Sequence, residues 1–453
     1  VANTVMGHNS FDANTTGGTN TAVGAQSLSG NTTASDNAAF GAFSLRDNTT
    51  GANNVGIGRG ALTHNTTAAN NTAVGMNALN VNTTGDSNVA VGAANLDANT
   101  TGSQNISVGY GALGSNTINS RNVALGYNAL ANADAGRNTA VGHDCMSSTT
   151  SGSNNTAVGQ AALISNTTGA ANAAVGKSTL TNNTTGIHNN ALGVEALEAN
   201  TTGSYNNAFG LRALEDNTTA NFNSAFGHES LMKCTTGSAN SAIGSYALQK
   251  VTTGSSNTAN GYVAGYNITT GSYNTTLGQN VAPDLTTGGN NLLLGHLAGA
   301  GSSPSGAIST GSNNVVLGNN SIGNLFCADT SISSSDSRDK TDVTSFNIGL
   351  AWINALRPVT YRWDRRTWYG TDAEPYGTPD GSKKRQRLHI GFLAQEALAV
   401  EQANGYGSSN DDSLILNLTE DGMSYGMKYE RLVPILVNAI KELSTKVTAL
   451  EAG

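Results

Sequence analysis

Charged and aromatic residues are scarce in this 453-residue chain. Asp, Glu, Lys and Arg make up 11% of it and Phe, Trp and Tyr only 6%, whereas glycine occurs 55 times. These fractions are unusual for an ordinary globular domain. The formal net charge of −8 is small for the length, and the basic residues form no stripe in the repeats, so we expect no nucleic-acid or anionic-membrane partner. The composition indicates a repeat protein.

Cysteines and long apolar runs are also few or missing. Cys145, Cys234 and Cys327 are odd in number and far apart, so they predict neither a disulfide framework nor a metal site. We interpret them as small buried side chains, and we expect no cofactor. Since no run of about 18 apolar residues is present, we expect no membrane insertion.

A 17-residue unit, N-T-A-V-G-x-x-A-L-x-x-N-T-T-G-x-x, recurs along most of the chain. Its central glycine steps by 17 from Gly7 to Gly126 and, after one deletion, from Gly142 to Gly295. These are 18 units, and residues 314–318 form an irregular nineteenth. A fixed short period predicts an all-β solenoid in which each coil is buried against its neighbours. We expect two short strands and two turns in each coil.

The first predicted strand carries apolar residues on both of its faces. The residue before the central glycine is bulky and the one before that is small, as in Ala73 and Val74. Successive side chains of a strand point to opposite faces, so one face can fill the narrow coil and the other needs an outside partner. The simplest partner is a second copy of the chain. The sequence therefore predicts an oligomer.

The unit N-T-A-V-G-x-x-A-L resembles the head repeat of trimeric autotransporter adhesins. The resemblance covers about residues 1–300 and implies a left-handed parallel β-roll, three copies of which pack together. A triple-stranded interwound fibre is the competing geometry.

The position after each central glycine varies most between units. Varied side chains on an invariant frame are candidates for contact with a host receptor, which we expect to be a polysaccharide. Isolated exposed aromatics are also common on surfaces that bind nothing. Paired carboxylates that could hydrolyse a glycan do not recur with the unit. The candidate contacts are Tyr110, Tyr127, His143, His228, Tyr262 and His296.

The composition changes at Ser335. Of 22 Lys and Arg, 14 lie in residues 335–453, together with 16 of 30 Asp and Glu and all three Trp. The change predicts a separate small α+β domain over 335–453, joined to the repeats by an irregular neck over 301–334.

Four sequence blocks in this domain carry a second resemblance. They are S-D-S-R-D-K at 335–340, L-R-P-V-T-Y-R-W at 356–363, H-I-G-F-L-A-Q-E at 389–396 and Y-E-R-L-V-P-I-L at 429–436. They are similar to the endosialidase-type intramolecular chaperones, a self-cleaving group at the C-termini of phage fibres and spikes.

This second resemblance implies a homotrimeric phage tail fibre located in the virion tail. We expect it to join other tail proteins through an N-terminal region outside this sequence. A cell-surface trimeric adhesin and a tailspike with glycan-degrading activity are the alternatives.

The resemblance also implies a single self-cleavage between Ser334 and Ser335. Ser335 would attack the Ser334 carbonyl carbon, and Lys340 would act as general base once its amine is neutral. Water would then open the resulting ester. On spacing alone, the same residues fit a solvated linker.

The chain ends in a predicted helix with one apolar seam. β-branched residues at the first heptad position with Leu at the fourth favour two-stranded coiled coils, whereas the resemblance implies three strands. An amphipathic helix packed on its own domain is the ordinary alternative. The seam comprises Val433, Leu436, Ile440, Leu443, Val447 and Leu450.

Overall fold

The chain divides into two compact units. The solenoid unit comprises Val1–Ala298 and Ile308–Leu317, and the C-terminal unit comprises Gly299–Ala307 and Gly318–Gly453. The computed structural model describes residues 2–322, 343–370, 374, 376–418 and 425–452.

The solenoid unit is a parallel sheet of nineteen three-residue strands, one from each coil. Neighbouring strands pair in register at the 17-residue step, so Ala73 pairs with Ala90 and Val74 with Val91. The predicted parallel β-solenoid is therefore confirmed. The strands are β1 (Thr4–Met6), β2 (Thr21–Val23), β3 (Ala38–Phe40), β4 (Val55–Ile57), β5 (Thr72–Val74), β6 (Val89–Val91), β7 (Ile106–Val108), β8 (Val123–Leu125), β9 (Thr139–Val141), β10 (Thr156–Val158), β11 (Ala173–Val175), β12 (Asn190–Leu192), β13 (Asn207–Phe209), β14 (Ser224–Phe226), β15 (Ser241–Ile243), β16 (Thr258–Asn260), β17 (Thr275–Leu277), β18 (Leu292–Leu294) and β19 (Val315–Leu317).

The prediction of two strands in each coil is wrong. The A-L segment of the unit forms a corner, because it contains residues in the left-handed region of backbone space. Asn77 has φ 58° and Leu79 has φ 50°, values that bend the chain and are incompatible with an extended strand. The segment is apolar because Leu79 is fully buried inside the coil.

The interior of the coil is narrow, and small residues fill it. Ala73, at the centre of β5, is fully buried together with Leu79. The bulky residue that ends each strand points outward, and Phe40 and Ile57 are each 42% exposed. The two faces of the strand therefore differ as predicted, with the small side chain inside and the large one outside.

A buried asparagine opens each coil and links it to the next. Asn206 is fully buried, and its backbone N–H donates to Asn189 Oδ1 at 3.1 Å. Its own Oδ1 accepts the backbone N–H of Asn223 at 3.0 Å, and its Nδ2 donates to the carbonyl of Ala220 at 2.8 Å. The ladder continues from Asn3 to Asn314. Buried backbone groups of adjacent coils thus find partners that also fix their alignment.

The central glycine of the unit is required by a close approach between coils. Gly75 has φ 137°, and a Cβ added there would lie 2.3 Å from the carbonyl oxygen of Gly92. Any side chain would therefore force the two coils apart.

In its described residues, the C-terminal unit combines two antiparallel strand pairs with three helices around a small core. Strand β20 (Val359–Tyr361) pairs with β21 (His389–Gly391), and β22 (Leu416–Leu418) pairs with β23 (Tyr425–Met427). The core contains Trp352, Ile415 and Ile435. No helix in the described ranges is both long enough and apolar enough to cross a membrane. The elements are α1 (Leu350–Ala355), β20 (Val359–Tyr361), β21 (His389–Gly391), α2 (Ala394–Ala403), β22 (Leu416–Leu418), β23 (Tyr425–Met427) and α3 (Leu432–Glu451), with 3₁₀ turns at Arg366–Trp368 and Tyr429–Arg431.

Two of the three cysteines lie inside the solenoid. Cys145 and Cys234 are buried, and burial raises the pKa of each thiol to about 12. Their interpretation as small buried side chains is confirmed, since such thiols are inert at neutral pH. Cys327 lies outside the described residues.

Replacing Asn206 by Ala should destabilise the solenoid, because the Asn223 N–H and the Ala220 carbonyl would each lose a buried partner. At about 1–3 kcal/mol for each of these two losses, we expect the free energy of unfolding to fall by about 2–6 kcal/mol. Urea unfolding followed by circular dichroism measures the change. Thr219→Ala, on an exposed turn of the same coil, is the control and should change it by less than about 0.5 kcal/mol. Equal midpoints for the two variants would contradict the role of the ladder.

Candidate functional site

Three of the predicted receptor contacts form one stack on the solenoid surface. The rings of Tyr110 and Tyr127 are 5.6 Å apart, and those of Tyr127 and His143 are 5.1 Å apart, with interplanar angles of 16° and 13°. The in-register coils explain the stack, because they place equivalent positions one above another. Tyr110 and Tyr127 are 56% and 48% exposed, so the edges of the rings are open to solvent.

A second group forms around Tyr246, which the sequence reasoning missed. The ring of Tyr246 contacts His228 edge to face at 5.0 Å and Tyr262 at 6.0 Å. Tyr246 occupies the second position after its glycine and therefore reaches the rings of both neighbouring coils. His296 belongs to neither group and has no ring contact among the described residues.

Another aromatic row lies at the position before the ladder asparagine. His188, Tyr205 and Phe222 stack with ring separations of 5.0 and 5.2 Å and interplanar angles of 17° and 12°. The sequence reasoning also missed this row. Its signal was available, because the three residues are spaced by 17 and so occupy one position of the repeat.

A cluster of charged residues lies on the surface of the central coils. Carboxylate oxygens of Glu195, Glu198 and Glu215 lie within 4.8 Å of one another. Burial raises the pKa of Glu198, and the neighbouring Glu195 and Glu215 raise it further. The guanidinium of Arg212 approaches Glu215 at 2.8 Å and Glu229 at 3.2 Å. Because a cation already compensates these acids, we assign the cluster no metal ion.

The sequence blocks of the C-terminal unit converge in space. Arg357, from the second block, forms a bidentate ion pair with Glu396 of the third block. Tyr361 stacks on His389 at 5.6 Å, within the β20–β21 pair. The hydroxyl of Tyr429, from the fourth block, accepts the backbone N–H of Phe392 at 3.1 Å. The motif residues therefore hold three distant segments together.

Residues 335–406 match the protein family described as chaperone of endosialidase. The chain carries a chaperone-of-endosialidase domain. The match begins at Ser335, the first residue of the predicted domain, and ends before the block at 429–436. No curated protein and no solved structure matches the chain.

A buried carboxylate closes the core of the chaperone domain. Glu401, in α2, is fully buried and accepts the Ile415 N–H at 2.6 Å and the Ser413 hydroxyl at 2.8 Å. These bonds tie α2 to the segment that enters β22. The sequence reasoning did not single out Glu401, although it shares a helix face with buried Ala397, four residues earlier.

The loop before this segment is held by Asp412. Hydrogen bonds from the Ser408 hydroxyl and from Ser409 lower the pKa of Asp412 to about 2. The carboxylate is therefore ionised at neutral pH and accepts the backbone N–H groups of Ser408 and Ser409 at 3.1 and 2.6 Å.

The predicted cleavage residues Ser334, Ser335 and Lys340 lie outside the described residues. Their roles stay predictions. The first of the four sequence blocks lies there as well.

Replacing Glu401 by Leu should destabilise the chaperone domain, because the buried Ile415 N–H would lose its acceptor. We expect a loss of about 1–3 kcal/mol. Tryptophan fluorescence isolates the response, since all three Trp lie in this domain and Trp352 is buried in its core. Gln402→Ala, next to Glu401 but exposed, should leave the fluorescence midpoint unchanged. If Glu401→Leu unfolds at the wild-type midpoint, the hydrogen bonds of the Glu401 carboxylate do not stabilise this core.

Proposed function

We propose that the chain is a homotrimeric phage tail fibre, located in the virion tail, that adheres to a polysaccharide on the host surface. Its chaperone domain directs trimerisation and then releases itself by one cleavage between Ser334 and Ser335. The chaperone domain itself suggests a protein of the phage tail fibre or tailspike type. The proposed trimer is supported by one observation, that a single chain leaves two long apolar surfaces exposed to solvent.

The first uncovered surface is the outward row of the solenoid strands. Phe209, Phe226 and Ile243 occupy successive coils of this row and are 36%, 42% and 46% exposed. The rings of Phe209 and Phe226 are 4.9 Å apart and nearly parallel. An apolar stripe of this length, interrupted at Asn260, is unfavourable in water and is typical of an interface. Packing three copies around a common axis would remove it from solvent.

The second uncovered surface is the seam of α3. Leu432, Ile435 and Ala439 face the core of their own domain and are buried. The predicted seam lies on another side of the helix, where Ile440 is 66% and Leu450 81% exposed. The helix therefore packs on its own domain and still presents a heptad seam. Neighbouring copies of α3 would cover that seam.

The aromatic stack of Tyr110, Tyr127 and His143 supports adhesion. Its edges are exposed, and it lies on a frame that needs no aromatic residue for folding, since other coils carry Ala or Gln at the same position. Aromatic edges and faces on a polar, hydroxyl-rich surface suit the mixed apolar and polar character of a sugar.

The cleavage we propose is a single acyl transfer. The Ser335 oxygen bonds to the Ser334 carbonyl carbon, the peptide C–N bond breaks, and the amine of Ser335 leaves protonated. Lys340 removes the hydroxyl proton, and water then hydrolyses the ester. Support comes from the family match, which begins at Ser335, the residue that would become the new N-terminus. The reaction occurs once in each chain and has no external substrate.

Ser335→Ala and Lys340→Ala should each abolish cleavage, because one removes the nucleophile and the other its base. Denaturing mass spectrometry of the purified proteins should find fragments 1–334 and 335–453 for wild type and one intact chain for both variants. Ser337→Ala is the control and should be cut like wild type. An intact wild-type chain would exclude autoproteolysis.

Ile440→Asp should prevent assembly, because it places a charge in the α3 seam. The test uses Ser335→Ala as background, so that the chaperone domain stays attached. Light scattering should give three times the chain mass for the background protein and a loss of that species for Ile440→Asp. Thr445→Asp, on the polar side of the same helix, should still form the trimer. A monomeric background protein would overturn the proposed assembly.

A further inference from the structure

The aromatic row at the position before the ladder asparagine is interrupted for two coils and then resumes. His188, Tyr205 and Phe222 are followed, at the same position of the next three coils, by Ala239, Ser256 and Tyr273. Phe222 is 62% and Tyr273 68% exposed. Ala and Ser are too small to continue the stack. The row therefore has two successive positions without an aromatic ring, and an aromatic residue stands on either side of them. We call each such position of the row a rung.

The dimensions of this gap follow from the coils. Strands β14 to β17 pair in unbroken register, so Phe222 and Tyr273 stand three coils apart. At about 4.8 Å for each coil, their positions are about 14 Å apart. The exposed side chains of Ala239 and Ser256 form the floor between them. We call this space, bounded by Phe222 and Tyr273, the notch. Each vacant rung has about the thickness of one ring.

The backbone does not favour aromatic residues in this row. Phe222 and Tyr273 both have φ 61°, in the left-handed region. Asn, Asp and Gly adopt this region most readily, and bulky residues do so at a cost. Asn53, Asn70 and Asn154 occupy the same position in other coils with similar φ values. The large rings at the ends of the notch are therefore not explained by local folding.

The surroundings of the notch are poor in charge and rich in hydroxyl groups. From residue 234 to 283 the one charged residue is Lys250, whose ammonium group already donates to Asn267 Oδ1 at 2.9 Å. Ser238 Oγ accepts the Asn221 N–H, and Ser255 Oγ accepts the Ser238 N–H, each at 3.1 Å. The Ser238 hydroxyl, held by the backbone in this way, still has its own proton to donate, whereas the Ser255 hydroxyl donates to the Thr253 carbonyl at 3.5 Å. Thr236 and Thr253, in the same turns as Ser238 and Ser255, are also exposed.

We infer that the notch binds the pyranose rings of an uncharged glycan. The C–H face of a pyranose is apolar and flat enough to stack on the open face of Phe222, and its hydroxyl rim matches the surrounding Ser and Thr. An ionised saccharide would gain no ion pair in residues 251–283. The inference rests on the proposed adhesive function and adds to it a site and a ligand class.

Three variants of the full chain test the notch. Phe222→Ala and Tyr273→Ala remove its ends and should weaken binding about five- to tenfold each. Ala239→Tyr fills the first vacant rung, which the fold accepts because Tyr205 and Tyr273 occupy the same position elsewhere. It should weaken binding at least as much. Ile118→Ala is the control, because it removes an equally exposed apolar side chain (61%) from another position of the repeat.

The probes are immobilised dextran, mannan and galactan, with polygalacturonate as the charged comparison, and biolayer interferometry measures the affinity. We expect wild type and Ile118→Ala to bind at least one uncharged polymer equally well and to bind polygalacturonate less tightly. Light scattering and circular dichroism confirm that each variant keeps the assembly and fold of wild type.

The possible failures are distinguishable. Unchanged binding by the three notch variants, a preference for polygalacturonate or no binding to the uncharged polymers would overturn the notch. Loss of assembly in Phe222→Ala would show that copies of the chain cover this face, and would also overturn it. If wild type bound neither these polymers nor whole host cells, the adhesive function itself would fail.

Discussion

The solenoid depends on one interaction, the hydrogen bond from the backbone N–H of each ladder asparagine to the Oδ1 of the one before. The bond survives both irregularities of the repeat. Asn138 reaches Asn122 at 3.0 Å across a shortened step of 16 residues. Asn314 reaches Asn291 at 3.0 Å across a step of 23 residues. The ladder therefore sets the alignment of the coils, and the turns absorb the differences in length.

A second buried row of the repeat shows why the first is indispensable. Asn82 Nδ2 donates to Asn65 Oδ1 at 3.0 Å and to the Gly85 carbonyl at 2.9 Å. Its amide group therefore bonds to the equivalent side chain of the previous coil and to the backbone of its own turn. In later coils this position is apolar, as at Val251. The corresponding carbonyl, that of Gly254, still accepts Asn240 Nδ2 at 2.9 Å from the first ladder. Where an apolar residue replaces the asparagine of the second row, a side-chain donor and its side-chain acceptor disappear together, and no buried polar group is left unpaired. Removing a ladder asparagine would instead leave a backbone N–H without a partner.

The sequence predicts the solenoid well, because a fixed period with a central glycine has few physical solutions. It does not predict the conformation of the A-L corner, since Leu79 at φ 50° is held there by burial and not by its own preference. The candidate contacts Tyr110, Tyr127 and His143 were predictable as a row. The contribution of Tyr246 was not predictable, because it occupies the second position after its glycine and contacts rings at the first position of the neighbouring coils. In the chaperone domain, the sequence blocks were visible, but the Arg357–Glu396 pair depends on a tertiary fold with no period to reveal it.

The repetition that makes the array predictable also creates a problem for its assembly. Each coil presents nearly the same outward row, so three copies displaced by one coil would keep almost all of their apolar contacts. The ladder cannot prevent such a slip, because it acts within one chain. In the proposed assembly, a non-repetitive domain at one end would resolve the degeneracy, since only one alignment would bring its copies together. This requirement explains, in physical terms, why a domain with its own core and a seam-bearing helix follows the array. In the trimer that we propose, the long apolar rows would hold the selected alignment after the proposed cleavage released the domain.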